Sequence, residues 1–238
     1  VSKECAALLR HLGVDVSKVS AVCAVVDGAA VSVCGAATPL CEAAMRSAGP
    51  VAAGGRLCRP VDFDQRPVGL VEASAEADIE ILAARLAPLL LGAGRDGALE
   101  RNLRVLRWVT RAQAIAPDVC NWTGVYYKAS FALGEAGSDL VLGPFIGAPT
   151  PHQRIPLDRG ICGLALREER TVNVPDVRAD PRYLACSTET RSELVVPLAD
   201  RSGALVAELD IDSHRAQGFD PALEAELRSF AGTFADCL

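Results

Sequence analysis

Apolar positions along this chain follow two rhythms, short alternating runs and longer stretches stepped by three and four. Val19 to Cys34 holds two β-rich runs around Asp27-Gly28, and Asp-Gly between apolar runs is a favoured two-residue hairpin turn. A further run covers Pro67-Val68-Gly69-Leu70-Val71-Glu72. Ser74 is placed to cap a helix whose apolar face is Ile79, Leu82, Leu86 and Leu89, with Gly92 and Gly94 ending it. These elements predict a small α+β module over residues 1–92. A second helical pattern, with Leu99, Leu103 and Leu106, runs from about residue 97 to Pro117. Its other positions are rich in Arg, which predicts a half-solvated connecting helix over 93–118, suited also to pairing with a second copy.

From Val119 the texture changes to short strands between Gly/Pro turns, at 121–128, 139–146, 171–174, 193–198 and 204–212. Asp220-Pro221 opens a last helix, Asp as cap and Pro at its first position, with Leu223, Leu227, Phe230 and Phe234 inward. One helix before several strands and one after predicts a mostly antiparallel sheet covered by helices, an α+β fold. RPVDFDQRPVGLVEAS and VVPLADRSGALVAELDIDS each read as a hairpin, a strand and then an amphipathic helix. The echo predicts two tandem copies of one architecture, the first shortened. The first has no match to Asp210-x-Asp212, so the chemistry is expected within 119–238.

Composition narrows the function classes. The 238 residues carry 24 basic and 30 acidic side chains, net −6, and half are hydrophobic. That composition supports a packed core, and no basic stripe exists to track phosphates, which argues against nucleic acid. Charges interrupt every apolar stretch well short of the ~20 residues of a membrane helix. VSKECAALLRHLG lacks the continuous apolar segment of a signal peptide. A cytoplasmic location is the expectation. Nine scattered cysteines without a C-x-x-C read mainly as small core residues.

Strand alternation then sorts the candidates. In Val206-Ala207-Glu208-Leu209-Asp210-Ile211-Asp212, the three acids share one face. Such a face is either solvated or a carboxylate cluster lining a pocket, able to hold an ammonium or share a proton. Glu193, in SELVVPL, is placed to join it. Trp122 and Tyr126 fall on one strand face, as core or as an aromatic wall for a ligand. Cys162 lies between glycines in RGICG and Cys186 in the polar, loop-like YLACST; thiols on loops react more readily than thiols in apolar strands.

The segments NWTGVYY, LVLGPFIGAP, RIPLDRGICG, PDVRADPRYLACST, SELVVPL and ELDIDS occur in this order. Together they closely resemble the free methionine-R-sulfoxide reductases, a branch of the GAF-domain family, over about residues 119–238. The first half shows only a degenerate GAF-like outline. The resemblance implies a GAF/PAS-like six-stranded antiparallel sheet with helices on one side and pocket-closing loops on the other. It implies Cys186 as nucleophile, Cys162 as the second motif cysteine, and Glu193, Asp210 and Asp212 as pocket acids. Trp122 and Tyr126 become pocket aromatics. Better-known members carry a resolving cysteine two residues before the Arg of R-I-P; here that position is His152, a candidate substrate contact.

The function so implied is thiol-dependent reduction of a free small sulfoxide, methionine-R-sulfoxide or a related amino-acid sulfoxide. It needs no cofactor, a thioredoxin-like reductant to recycle the thiols, and in this family a homodimer. A second reading is a non-catalytic small-molecule or redox sensor, favoured by the missing third cysteine and the extra N-terminal half. A third is a metal site built from His152, Cys162, Cys186 and the acids, with His214 nearby.

Overall fold

A computed structural model describes residues 16–26, 29–35, 37–74, 78–95 and 97–238, which form two compact units, Val1–Glu100 and Arg101–Leu238. The unit boundary falls inside the stretch expected to be a connector.

In the first unit, strands β1 (Val19–Val26) and β2 (Ala29–Cys34) pair antiparallel, as the two apolar runs predict. Their Asp27-Gly28 turn lies outside the described residues. Helix α1 (Pro39–Ser47) follows, with Pro39 in its first turn and the Thr38 hydroxyl accepting the Cys41 amide. Strands β3 (Val51–Ala53), β4 (Arg56–Phe63) and β5 (Arg66–Ser74) complete a sheet of order β2-β1-β5-β4-β3. Asp64 and Gln65, both at positive φ, turn the β4–β5 hairpin, the backbone that a right-twisted two-residue connection requires. Helix α2 (Ile79–Leu90) buries Ile79, Leu82, Leu86 and Leu89 as its periodicity predicts. Its cap is Asp78 and not Ser74, because β5 runs on through Ser74 and the Asp78 carboxylate reaches the Ile81 amide. Leu70 packs under α1, while a side chain at neighbouring Gly69 would meet Leu90 of α2. The two helices therefore cover opposite faces of the sheet.

The second unit begins within helix α3 (Ala98–Gln113). Then come β6 (Trp122–Lys128), α4 (Ala129–Leu133), β7 (Leu140–Ile146), β8 (Arg154–Ile155) and α5 (Gly160–Arg167). Strands β9 (Val172–Val174), β10 (Ser192–Ala199) and β11 (Leu205–Ser213) precede α6 (Pro221–Ala231). All neighbours in the order β8-β7-β6-β11-β10-β9 are antiparallel. Five of these strands match the sequence reading; β8 has only two residues, too few to show alternation. The Asp220 carboxylate caps α6 at the Leu223 amide, 2.8 Å.

Helix α3 from Asn102 onward buries one face in the second unit and leaves Arg104, Arg107 and Arg111 exposed on the other. Trp108 stacks on Phe230 at 4.9 Å and meets Phe234 edge-on, while its indole donates to Thr233. Tyr127 donates to the Asn102 side chain. Of the pattern Leu99, Leu103, Leu106, the last joins the inner face of Val105, Trp108, Val109 and Ala112, while Leu99 and Leu103 are half-buried at its edge. Helices α3 and α6 thus cover the Tyr127 face of the second sheet, and the opposite face, bearing Tyr126, is left for α5 and the loops.

Among the described residues, the first sheet follows the winding of the second without a counterpart of β8. Both are antiparallel sheets flanked by helices, the α+β class expected.

Candidate active site

The site is built on the register of three central strands. Side chains directly opposite each other in an antiparallel pair share a face, and β11 pairs with β10 on one side and β6 on the other. One row across the sheet therefore reads Glu193, Asp212, Trp122, the next Val195, Asp210, Gly124, and a third Pro197, Glu208, Tyr126. Four carboxyls and two aromatics end on one face. Of the two readings of the acid-bearing face, burial decides for the cluster: Glu193, Glu208, Asp210 and Asp212 are each at most 4% exposed.

Helix α5 lies over them. Cys162 is its third residue, and its Sγ sits 3.7 Å from Asp210 Oδ2 and 3.9 Å from Glu193 Oε1. The flanking glycines allow a tight turn and a close backbone approach: Gly160 takes φ +70° just at the helix start, and a side chain at Gly163 would strike the Leu157 carbonyl. Cys162 is a buried helical thiol. Cys186 is in a loop, as expected, and half-buried, with its Sγ 3.6 Å from the Leu184 carbonyl.

His152 holds that loop. Its ring Nε2 lies 3.0 Å from the Ala185 carbonyl, next to Cys186, and its own carbonyl accepts the Tyr126 hydroxyl at 2.8 Å. Trp122 donates to the Ala148 carbonyl and tilts 6.4 Å from the Tyr126 ring. The 148–152 segment is thereby tied to both aromatics of the sheet and to the cysteine loop.

Crowding sets the electrostatics. Burial, then the Asp210, Asp212 and Glu208 charges, push the Glu193 carboxyl well above the usual range. Burial likewise raises Glu208 and Asp212, with Asp210 adding to both. Burial pushes Asp210 up to about 7, against the lowering effect of the Cys162 thiol. Like charges in a dry site cannot all ionise, so protons are retained and shared. The same acids act on the thiols. Burial first, then Asp210, Glu208 and Glu193, hold Cys162 protonated; burial, then Asp210, Asp212 and Glu193, do so for Cys186. Both Glu208 oxygens and Asp210 Oδ1 are buried without a hydrogen-bond partner. Unpartnered buried oxygens are costly, and a cationic ligand would satisfy them.

Cys162, Glu193 and Asp210 present ligand atoms within 4.8 Å of one another. His152 does not join this group, and His214 faces Glu189 at 3.8 Å with both side chains exposed. The mixed set with histidine and both cysteines is therefore not assembled among the described residues, only its Cys162, Glu193 and Asp210 part. Glu208 is the group that sequence reasoning placed on the right face yet left out of the site. Its signal was the same alternation that selected Asp210 and Asp212.

A GAF domain model matches residues 3–238 of the chain. The chain belongs to the GAF-domain family. Protein YtsP of Bacillus subtilis is 42% identical over 122 residues, 51% of this chain and 70% of that protein. The free methionine-R-sulfoxide reductase of Saccharomyces cerevisiae is 37% identical over 108 residues, 45% of this chain and 57% of the yeast protein. Among solved structures, the type II free methionine-R-sulfoxide reductase from Thermoplasma acidophilum superposes with a TM-score of 0.53 and 32% identity. That alignment covers 60% of this chain and 94% of the archaeal one. Among the described residues, no helix of this GAF protein is long and apolar enough to cross a membrane.

Proposed function

We propose that the second unit reduces a free small sulfoxide, methionine-R-sulfoxide or a close relative, with Cys186 as nucleophile. The observation that carries this reading is the set of four buried carboxyls, with unpartnered oxygens, around two thiols. The relatives of this chain that bear a reductase name support the same substrate class.

Sulfoxide sulfur is a poor electrophile until its oxygen is protonated, and a carboxyl whose pKa is raised toward neutrality is a suitable acid. Asp210, at about 7, has that property. Glu193 and Asp212 hold the α-ammonium of the substrate, while Trp122 and Tyr126 pack on its methyl-sulfur end. Burial, and after it carboxylate charge, keeps Cys186 a thiol; the incoming cation offsets the second of these, so substrate entry favours the thiolate. The Cys186 sulfur attacks the sulfoxide sulfur as the acid gives its proton to the oxygen. Oxygen passes to Cys186, which becomes a sulfenic acid, and the thioether leaves with both sulfur substituents intact. Cys162 then displaces the sulfenic oxygen as water and forms a disulfide, which a thioredoxin-like dithiol reduces. His152 stands where related enzymes carry a third cysteine, and its bond to the Ala185 carbonyl suits it to fix the Cys186 loop.

A second reading, a ligand sensor without turnover, draws on the upward-shifted Cys186 thiol. A single-turnover assay separates the two. Pre-reduced protein mixed with free methionine-R-sulfoxide is expected to give about one methionine per chain, with loss of the Cys186 and Cys162 thiols. Unchanged thiols and no methionine would reject the reductase.

A further inference from the structure

The first unit holds a thiol cluster that the proposed reductase chemistry does not use. Cys41, Cys58 and Cys23 are all fully buried, in one apolar cluster with Ala21, Ala44 and Leu70. The Cys58 thiol points at the Cys41 sulfur, 3.2 Å away, across a separation of 17 residues. Cys41 in turn donates to Glu72 Oε2 at 3.6 Å. Both cysteines are free thiols.

The placement repeats that of the other unit. Cys41 is the third residue of the helix that precedes β3, and Cys162 the third residue of the helix that precedes β9. Each lies against a carboxylate of its sheet's last strand, Glu72 or Asp210. What the first unit adds is a second sulfur already in contact with the first.

We infer that Cys41 and Cys58 are a redox-active dithiol, oxidised to an intra-unit disulfide by a small peroxide. The sulfurs are within about 1.2 Å of the ~2.05 Å bonding distance. They also come from two elements, α1 and β4, that the same cluster already holds together. Glu72 gives Cys41 a proton acceptor, itself fixed by Arg56, Ser20 and Thr38. Burial and the bond to Cys41 push Cys58 up, which keeps it a thiol until Cys41 has reacted. A cavity of about 540 Å³ is walled in part by Met45 and Leu70, which also pack in the thiol cluster, so only those side chains need shift for a molecule the size of hydrogen peroxide to reach the sulfurs on the proposed reading.

The chemistry runs in two balanced steps. Cys41 gives its proton by way of Glu72 to the departing peroxide oxygen, its sulfur takes the other oxygen, and one water leaves. Cys58 then attacks the sulfenic sulfur, its proton leaves with the hydroxyl as a second water, and the disulfide closes. Two thiols are oxidised and one peroxide is reduced to two waters.

The test uses the full chain, reduced, freed of reductant and treated with a few equivalents of hydrogen peroxide. It is then denatured in alkylating agent, digested and read by mass spectrometry. The expected result is a reductant-sensitive cross-link between Cys41 and Cys58 in most chains, undiminished by Cys186→Ser, which silences the second unit. In Cys58→Ser, Cys41 is expected to remain a sulfenic acid that a dimedone probe labels. Full alkylation of both thiols after peroxide overturns the proposal, as does a cross-link that joins either of them to Cys23 in their place. The wild-type measurement decides even if Cys58→Ser does not fold.

Discussion

The two units wind their sheets the same way and place a helical cysteine against an acid of the last strand, yet they treat that acid in opposite ways. Glu72 accepts hydrogen bonds from Ser20, Thr38, Arg56 and Cys41. Burial raises its carboxyl, but those bonds outweigh burial and hold it below the usual range. Among the described residues no cation pairs with Asp210 or its three neighbours, and their carboxyls are held up. A satisfied acid stabilises its own fold and has nothing left to offer a ligand. An unsatisfied cluster does the reverse: it costs stability when empty and rewards the arrival of a positive charge. One frame thus yields a satisfied acid beside buried thiols in one half and an unsatisfied acid cluster in the other.

The comparison can be broken most sharply at the pocket thiol. Cys186→Ser is expected to reduce methionine formation to background in single-turnover assays, whereas Cys162→Ser spares the first turnover and blocks the second. Next in size is Asp210→Asn, which removes the acid and is expected to slow the chemical step by about 10²–10⁴. The same change is expected to raise resistance of the second unit to denaturant by about 1–2 kcal/mol, because an empty polar site is released from repulsion. His152→Ala, read by steady-state kinetics, is expected to lower turnover about tenfold by freeing the Cys186 loop, an effect on the order of 1.4 kcal/mol.

Smaller effects fall on stability. Thr38→Ala removes both a helix cap and a Glu72 partner, and is expected to cost the first unit about 1–2 kcal/mol by hydrogen exchange. The two units should also answer pH in opposite senses. Asp210 binds its proton more tightly folded than unfolded, so its contribution is full below the ordinary carboxyl range and is lost as pH rises through about 7. Glu72 binds its proton less tightly folded, so its contribution is present above the ordinary range and is lost as pH falls through the lowered value. Hydrogen exchange should show the second unit losing protection from pH 5 to pH 8 while the Glu72 contribution holds the first unit unchanged, the first losing protection only as pH falls below the ordinary carboxyl range.

Much of the second unit was legible because its strands are long enough to alternate and its turns carry Gly and Pro. The acid face of β11 could be read off Glu208, Asp210 and Asp212, since a period of two is unambiguous over nine residues. Helix α5 was hidden: GICGLALR is glycine-rich and uncapped, and it is helical through packing on the sheet, which no local propensity reports. In the first unit, α1 and β3 escaped notice, being short, and only the Arg59–Phe63 end of β4 was read, as one arm of a hairpin, because its start is buried out of strict alternation. The Cys41–Cys58 contact joins two such elements, and no spacing rule could have paired those thiols among nine.

Gly124 occupies the middle row of the site, opposite Asp210, and a methyl group added there would collide with the Trp122 ring and with Phe145. The indole therefore lies flat across a position where the sheet has no side chain, stacked on Phe145 at 5.5 Å. Any enlargement at residue 124 would lift that ring toward whatever occupies the pocket. On the proposed function, the girth of molecules the site admits would be governed from its floor. Selection for a bulkier or slimmer ligand could act through a single backbone-facing carbon, without disturbing an acid or a thiol.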